Sequence, residues 1–316
     1  MSFTTKEPFA STLLAKYENL PRGHYIGLVL LRTTQSETIF RTEGSGEPLS
    51  REVTISGTKT GQPIDRIVIS KRKQTAVERR TGRELLRDFE VYAGDNKECL
   101  LNTQNPCGKC PDCYLYGYAV GSGGAQRSRV MTEDAFSLLD AAEVTSERTF
   151  NALFDNSTMR NPKTGEPSTS LGSSEYVRPG THFLDIETLK DVTAAEFIYA
   201  MGNILQSSRY GAIGTRIGVV KNQILGIAVG KQEIFSTLEL TQATYDLLES
   251  KQHPLVTETV AETAVRAAAS LIGKVFGWRG HWISGNDLTP ILADVAESYQ
   301  NPAKLVADLQ ACYEKS

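Results

Sequence analysis

Apolar positions in this chain gather into short unbroken blocks separated by long polar stretches. Tyr25–Leu31 (YIGLVLL) is the clearest block, bounded by Gly23 and a polar run, and it predicts a buried central strand. From Thr33 to Asp65, Gly, Ser and Thr dominate, with GSGEP and GTKTGQP as turn signals, which predicts loops and a hairpin. Arg66–Ser70 (RIVIS) predicts a further strand, and the basic segment after it a short helix ending near Phe89. Ser128–Met131 reads as a strand, and Ala135–Leu139 as a second strand or a short helix. Phe154–Gly180 is almost devoid of aliphatic residues; it cannot bury a core, so a protruding, mobile insertion is expected there.

Thr181–Ile186 then predicts a strand. Thr193 with Glu196 three residues on is a capping box ahead of Phe197–Leu205, where apolar residues recur at helical spacing. A Gly-rich turn, RYGAIGTRIG, leads into Val219–Val229 and suggests a hairpin. From Leu240 onward the pattern is helical. Thr241 is positioned to cap the first helix, Ala261–Phe276 forms the second, and Thr289-Pro290 and Asn301-Pro302 open two more. Strands and helices intermixed in this way indicate an α+β protein with one core carrying inserted modules.

Composition narrows the classes of function. The chain has 316 residues, 40% of them hydrophobic, enough for a sizeable core. No stretch approaches the roughly 18 apolar residues of a membrane span, so no membrane partner is expected. The start, MSFTTKEPFASTLLAKYENL, lacks the basic-then-apolar order of a secretory signal. A cytoplasmic location with reduced cysteines is therefore the expectation. The formal net charge of −3 argues against a protein that is basic all over. Between Arg66 and Arg87, however, eight cations (Arg66, Lys71, Arg72, Lys73, Arg79, Arg80, Arg83, Arg87) face two carboxylates (Glu78, Glu84), a local charge of +6. Glu239–Glu262 is acidic by comparison. Such segregation suits one face for a polyanion and others that are not.

The candidate chemistry centres on cysteine. Cys99, Cys107, Cys110 and Cys113 fall within fifteen residues, in CLLNTQNPCGKCPDC. Pro106, Gly108 and Pro111 supply tight turns, and four thiolates satisfy a tetrahedral ion, so structural zinc is the leading reading. An iron–sulfur cluster and a redox CxxC pair are the alternatives, although the fourth cysteine and trailing proline of the bacterial ferredoxin pattern are missing after Cys113. Cys312 lies apart and reads as a small buried hydrophobe. Two Gly-rich, Arg-bearing turns, LYGYAVGSGGAQRSR and RYGAIGTRIG, offer backbone N–H groups and guanidinium groups to phosphate, or are ordinary turns with solvated arginines. Neither is a nucleotide-binding fingerprint. His24, His182, His253 and His281 are scattered without metal-ligand spacing. Asp112, Asp134, Asp140 and Asp155 leave metal-dependent chemistry open.

Two segments together, CGKCPDCYLYGYAVGSGGAQRSRVMTEDAFSL and RPGTHFLDIETLKDVTAAEFIYAMGNILQSSRYGAIGTRIG, resemble a known family. They are similar to the backbone subunit of the type I-D CRISPR surveillance complex (Cascade), in the repeat-associated RNA-binding superfamily. The resemblance is specific in the cysteine module and the RYGA turn, and weaker in the N-terminal third and last helices. It implies a modified ferredoxin-like, RNA-recognition-type (RRM-like) core. Residues 1–91 would open that core with a loop insertion and the basic segment. Residues 92–118 would be a zinc-binding insertion, 119–153 core continuation, 154–180 a flexible lid or thumb, and 181–316 core completion with C-terminal helices.

The resemblance also implies copies assembled head-to-tail along a CRISPR RNA, with other complex subunits, presenting the guide to target DNA or RNA. Such a subunit grips phosphate and ribose and leaves base edges free. Charge together with family position selects Arg22, His24, Lys71, Arg72, Arg79, Arg127, Arg129, Arg209 and Arg216 for RNA, with Tyr210 as a stacking platform. Met159 and Arg160 in the thumb would face the target. A non-catalytic structural role is the main expectation. Metal-dependent cleavage using one of the aspartates and a redox or iron–sulfur protein are the alternatives.

Overall fold

The computed structural model describes residues 3–41, 48–59, 61–92, 99–100, 106–120 and 124–313. Most of the GSGEP turn signal, part of GTKTGQP, and the residues at 121–123 of the first Gly-rich turn lie outside the described residues, as do 101–105 between the first two cluster cysteines.

Strand β1 (Tyr25–Thr34) is buried along nearly its whole length, because it has partners on both edges and helices on both faces. A hairpin follows: β2 (Arg51–Ile55) and β3 (Pro63–Ile69), antiparallel. Helix α1 (Lys71–Asp88) is 18 residues long, far more than the short helix expected, because its first turns meet the sheet and its later turns pack on the second long helix and the cysteine segment. Then come α2 (Pro111–Tyr116), the ribbon β4 (Tyr118–Val120) and β5 (Gly124–Gln126), and the short strands β6 (Val130–Thr132) and β7 (Ala135–Ser137). One turn, α3 (Ala141–Val144), leads into β8 (Thr145–Asn151), which pairs with β9 (Leu171–Val177). The polar insertion is thus the outer part of a two-stranded ribbon. Backbone pairing gives residues 171–177 a strand where side-chain hydrophobicity predicts nothing.

Strand β10 (His182–Lys190) runs antiparallel to β1, and α4 (Ala194–Gln206) follows. The Thr193/Glu196 capping box is formed, each side chain serving the other's backbone N–H. Strand β11 (Val220–Gly230) pairs with β1 on one side and β12 (Gly280–Ser284) on the other. It is no local hairpin: the RYGAIGTRIG turn adds only the bridge Arg209↔Val219. The C-terminal region holds α5 (Thr237–Leu247) and α6 (Thr257–Ile272) before β12, then α7 (Thr289–Gln300) and α8 (Pro302–Ala311). Strand β12 interrupts the helical run that the sequence suggested. Ser236 with Glu239, not Thr241, caps α5; Thr241 lies inside it, donating to the Thr237 carbonyl. Thr289 is likewise the first residue of α7, not its cap, whereas Asn301 does sit at the cap of α8. No helix among the described residues is long and apolar enough to cross a membrane.

The main sheet has the order β12-β11-β1-β10-β7-β3-β2, with β6 also on β10. Within it the chain order β1–α1–β6–β10–α4–β11 is laid out as β11-β1-β10-β6, the split βαβ connectivity of a ferredoxin-like unit. Leu28, Leu30 and Ile227 face α4, α7 and α8, joining Phe197, Met201, Ile291 and Leu305. Val29 and Leu31 face the opposite core, with Leu240 of α5 and Ala264 and Ala268 of α6. Both faces of the sheet are covered. Gly82 lies where α1 meets α4; a Cβ there would collide with Asn203 and Tyr199, which explains a glycine inside a long helix.

One polar layer penetrates the interior. Arg32, fully buried on β1, donates to Asp185 (2.7 Å), Glu187 (2.7 Å) and Asn222 (2.8 Å) and pairs with Glu78 (2.9 Å). Lys71 pairs with Asp185, and Gln74 bridges Asp185 (2.8 Å) and Glu187 (3.0 Å). Burial and the nearby Glu78 carboxylate push Glu187 well above the usual carboxylate range. Burial acts the same way on Asp185, but Lys71 and Arg32 overcome it and hold that group at about 2. Replacing Arg32 by Met removes the cation shared by three buried carboxyl groups, leaving only Asp185 with Lys71. It is expected to cost about 3–5 kcal/mol of unfolding free energy, measurable by denaturant titration.

His182 offers a separate pH signature. Burial, with a smaller contribution from His253, lowers it from 6.5 to about 4, with its Nε2 3.0 Å from the Thr257 hydroxyl. The unfolded chain therefore binds the proton first, and stability is lost as pH falls from about 6.5 towards 4. A His182→Gln variant is expected to lose less stability than wild type across that window in pH-dependent melting curves.

Candidate metal centre and nucleic-acid surface

The Pro106–Cys113 turn and α2 present three cysteines, and Cys99 completes the set from the segment after α1. Four Sγ atoms lie within 4.8 Å of one another, including separations of 3.5 Å (Cys99–Cys113), 3.9 Å (Cys99–Cys110) and 4.0 Å (Cys107–Cys113). A tetrahedron with zinc–sulfur bonds of about 2.3 Å has edges of about 3.8 Å, so the donors fit a single ion. No cysteine pair stands apart as a redox couple would. Backbone N–H groups of Cys107 (3.2 Å, to Cys99) and Cys110 (3.2 Å, to Cys107) point at sulfur, which favours thiolates. Hydrogen bonds among the thiols hold Cys99 well below its ordinary range and Cys107 at about 6, while Cys110 and Cys113 are held above theirs.

The module is fastened to the core by arginines. Asp112, fully buried, accepts from Arg79 through both oxygens (2.9 and 3.0 Å to Nε, 2.8 Å to Nη2) and from Arg83 (2.8 Å). Arg83 also reaches the Cys99 sulfur (3.5 Å) and stands over the Tyr92 ring. On the other side Tyr114 of α2 stacks on Tyr313 (4.4 Å, 13°) and packs against Tyr17 (4.9 Å), so both chain ends close on the module.

The residues selected for RNA divide into two groups. Arg79 is spent on Asp112. Arg129 forks onto Glu196 beneath the Tyr17 ring (4.7 Å), and Lys71 belongs to the buried layer. Tyr210 is 2% exposed, with its hydroxyl at Glu78 (3.2 Å) and Asn222 (2.9 Å), so it is an internal brace here and presents no ring face for a base. Desolvation explains this inward pairing: a buried cation must be paired, and distant segments of the chain supply the carboxylates that pair it. Arg72, Arg127, Arg209 and Arg216 are exposed. Arg209 donates to the Ile217 carbonyl (3.2 Å). Arg22 is exposed and paired with Glu18, and His24 is half-buried with Nδ1 at the Thr12 carbonyl. At the ribbon tip Met159 is half-buried, and Arg160 is exposed, donating to the Gly165 carbonyl (3.0 Å).

The two Gly-rich turns do not converge. Arg127 precedes β6 at the end of the sheet where β1 starts, whereas Val219, after the second turn, accepts from Gln35 beyond the end of β1. Ten residues of β1 put these ends about 30 Å apart. Arg83 and Asp112 were missed as supports of the cysteines. The i, i+4 spacing of Arg79 and Arg83 and the position of Asp112 between Cys110 and Cys113 were the available signal.

A family model described as Csc2 Crispr matches residues 12–309. The chain belongs to the Csc2 CRISPR family. Its fold is similar to the crystal structure of Thermofilum pendens Csc2, with TM-score 0.66 and 19% identity over 96% of this chain and 90% of that one. It is also similar to a chain of a CRISPR RNA-guided surveillance complex in a pre-nicking state, with TM-score 0.55 and 9% identity over 87% and 100% of the two chains. A chain of a further CRISPR RNA-guided surveillance complex matches with TM-score 0.51 and 13% identity over 90% and 100%. At these identities the likenesses to solved structures establish a shared fold. No curated protein sequence matches this chain.

Because Asp112 joins both Arg79 and Arg83 to the cysteine module, Asp112→Asn is expected to weaken metal retention about 10–100-fold in a chelator competition assay. The four cysteines would still be present.

Proposed function

We propose that this protein is the guide-binding backbone subunit of a type I-D CRISPR surveillance complex. Copies would assemble head-to-tail along a CRISPR RNA and offer its bases to invading nucleic acid. The observation that carries the reading is membership of the Csc2 family over residues 12–309, on a fold shared with chains of surveillance complexes. One structural feature supports a particular path for the RNA. Helices α5 and α6 cover the sheet face that an RNA-recognition domain leaves open, so the strand must run over loops and insertions. Arg72, Arg209 and Arg216 would form the guide's phosphate-gripping set, and Arg22, His24 and Arg127, at the opposite end of the sheet, would contact nucleic acid there separately. A heterologous, non-closing contact between copies would build the filament.

In this reading residues 92–118 are a structural zinc module and the ribbon tip with Met159 and Arg160 is a thumb lying towards the target. The nuclease alternative gains little from the aspartates. Asp112 is locked between arginines, Asp134 accepts from the Lys71 N–H (2.9 Å), and Asp140 caps α3 through the Ala142 N–H (2.8 Å). Asp155 is exposed on the ribbon. Among the described residues the one group able to hold a metal is the cysteine set. A non-catalytic scaffold in the cytoplasm is the role proposed here on the strength of the family.

Purified protein is expected to carry nucleic acid, seen as an ultraviolet spectrum shifted towards 260 nm, together with about one zinc per chain by elemental analysis. Affinity for single-stranded RNA should fall with salt at a slope of about −0.7 per phosphate contact, and Arg209→Ala/Arg216→Ala should flatten that slope by about 1.4. Failure to bind RNA at low salt would overturn the reading.

A further inference from the structure

Strand β1 begins beside the last residues of β10 and β11, and β11 ends beside the first residue of β12: Tyr25 faces Lys190 and Gly230, and Gly230 faces Gly280. On β10's other edge, β6 starts at the same level, Val130 facing Leu189. Five strand ends therefore form one rim. With neighbouring strands about 4.8 Å apart, the rim is about 19 Å long.

The outer corner of this rim carries a feature outside the residues chosen from sequence. The loop from α6 to β12, KVFGWRG, holds Phe276 at 97% exposure, the most exposed large apolar side chain among the described residues. The loop is not loosely placed. The six-membered ring of Trp278 lies against Gly230 and Gly280, where a Cβ on either glycine would collide with it. Gln232 Nε2 donates to the Phe276 carbonyl (2.9 Å), tying the loop to the segment after β11. The two segments joined by that bond carry three exposed cations, Lys231, Lys274 and Arg279, and one carboxylate, Glu233.

We propose that this rim is a second single-stranded nucleic-acid track, with Phe276 as its base-stacking anchor and Lys231, Lys274 and Arg279 as its phosphate contacts. A protruding ring braced from behind and flanked by cations on a linear edge matches what a single strand offers: flat bases on a charged thread. The track would hold a strand other than the guide gripped near Arg209 and Arg216, about 30 Å away along β1. It rests on the guide-binding reading for its context. Its chemistry is tested separately.

The test uses the full chain as purified, with whatever nucleic acid it carries, titrated with a fluorescein-labelled oligothymidine of about twenty nucleotides. The Lys231→Ala/Lys274→Ala/Arg279→Ala variant is expected to bind at least about tenfold more weakly, with a salt slope shallower by about 2. Phe276→Ala should lose about fivefold or more with an unchanged slope, and Phe276→Trp should restore binding. The amount of co-purified nucleic acid, which reports the guide site, should be unchanged in all of them, with wild-type melting temperatures. Wild-type affinity in the triple variant, or equal behaviour of the Ala and Trp variants, would overturn the proposal. So would a change in sedimentation without a change in oligonucleotide affinity, which would assign the rim to contact between protein copies.

Discussion

A fully buried guanidinium organises this molecule. Arg32 sits in the middle strand of the sheet, and its donors are matched by groups from β10, β11, α1 and, through Tyr210, the turn before β11. Removing such a charge from water costs several kcal/mol, which is recovered only when every partner is in place. The layer is therefore better understood as a constraint on arrangement than as a source of stability. Only one docking of α1 on the sheet supplies Lys71, Gln74 and Glu78 together.

That constraint explains why a strongly basic helix is a poor guide to an RNA surface. Half of the cations between Arg66 and Arg87 are drawn inward. Arg66 donates to three backbone carbonyls, Lys71 joins the polar layer, and Arg79 and Arg83 hold Asp112. The helix thus couples the central sheet to the cysteine module along its length. Which cations turn inward depends on acceptors brought close by the fold, a property that charge counting along the chain cannot register.

The cysteine module shows the same economy at a smaller scale. It has little apolar content, so four converging thiols able to hold a metal ion, two arginines and a stack of tyrosines take the place of a core. Tyr17 and Tyr313, near opposite ends of the described chain, meet there over Arg129 and Glu196. Loss of metal would therefore be felt at both chain ends and at the start of α4.

By itself the sequence determined whatever depends on local chemistry. The apolar block of β1, the capping box before α4, the ligand spacing of Cys107, Cys110 and Cys113, and the α+β class were all legible, because each needs only neighbouring residues to be meaningful. The tertiary structure alone decided what depends on partners far along the chain. It paired residues 171–177 into a ribbon despite their polarity, inserted β12 among helices, and turned Arg79, Arg129 and Tyr210 inward. It also set the two Gly-rich turns at opposite ends of one sheet. Backbone pairing and charge pairing are both long-range, and a linear pattern carries the identity of a side chain but not of the group that will meet it.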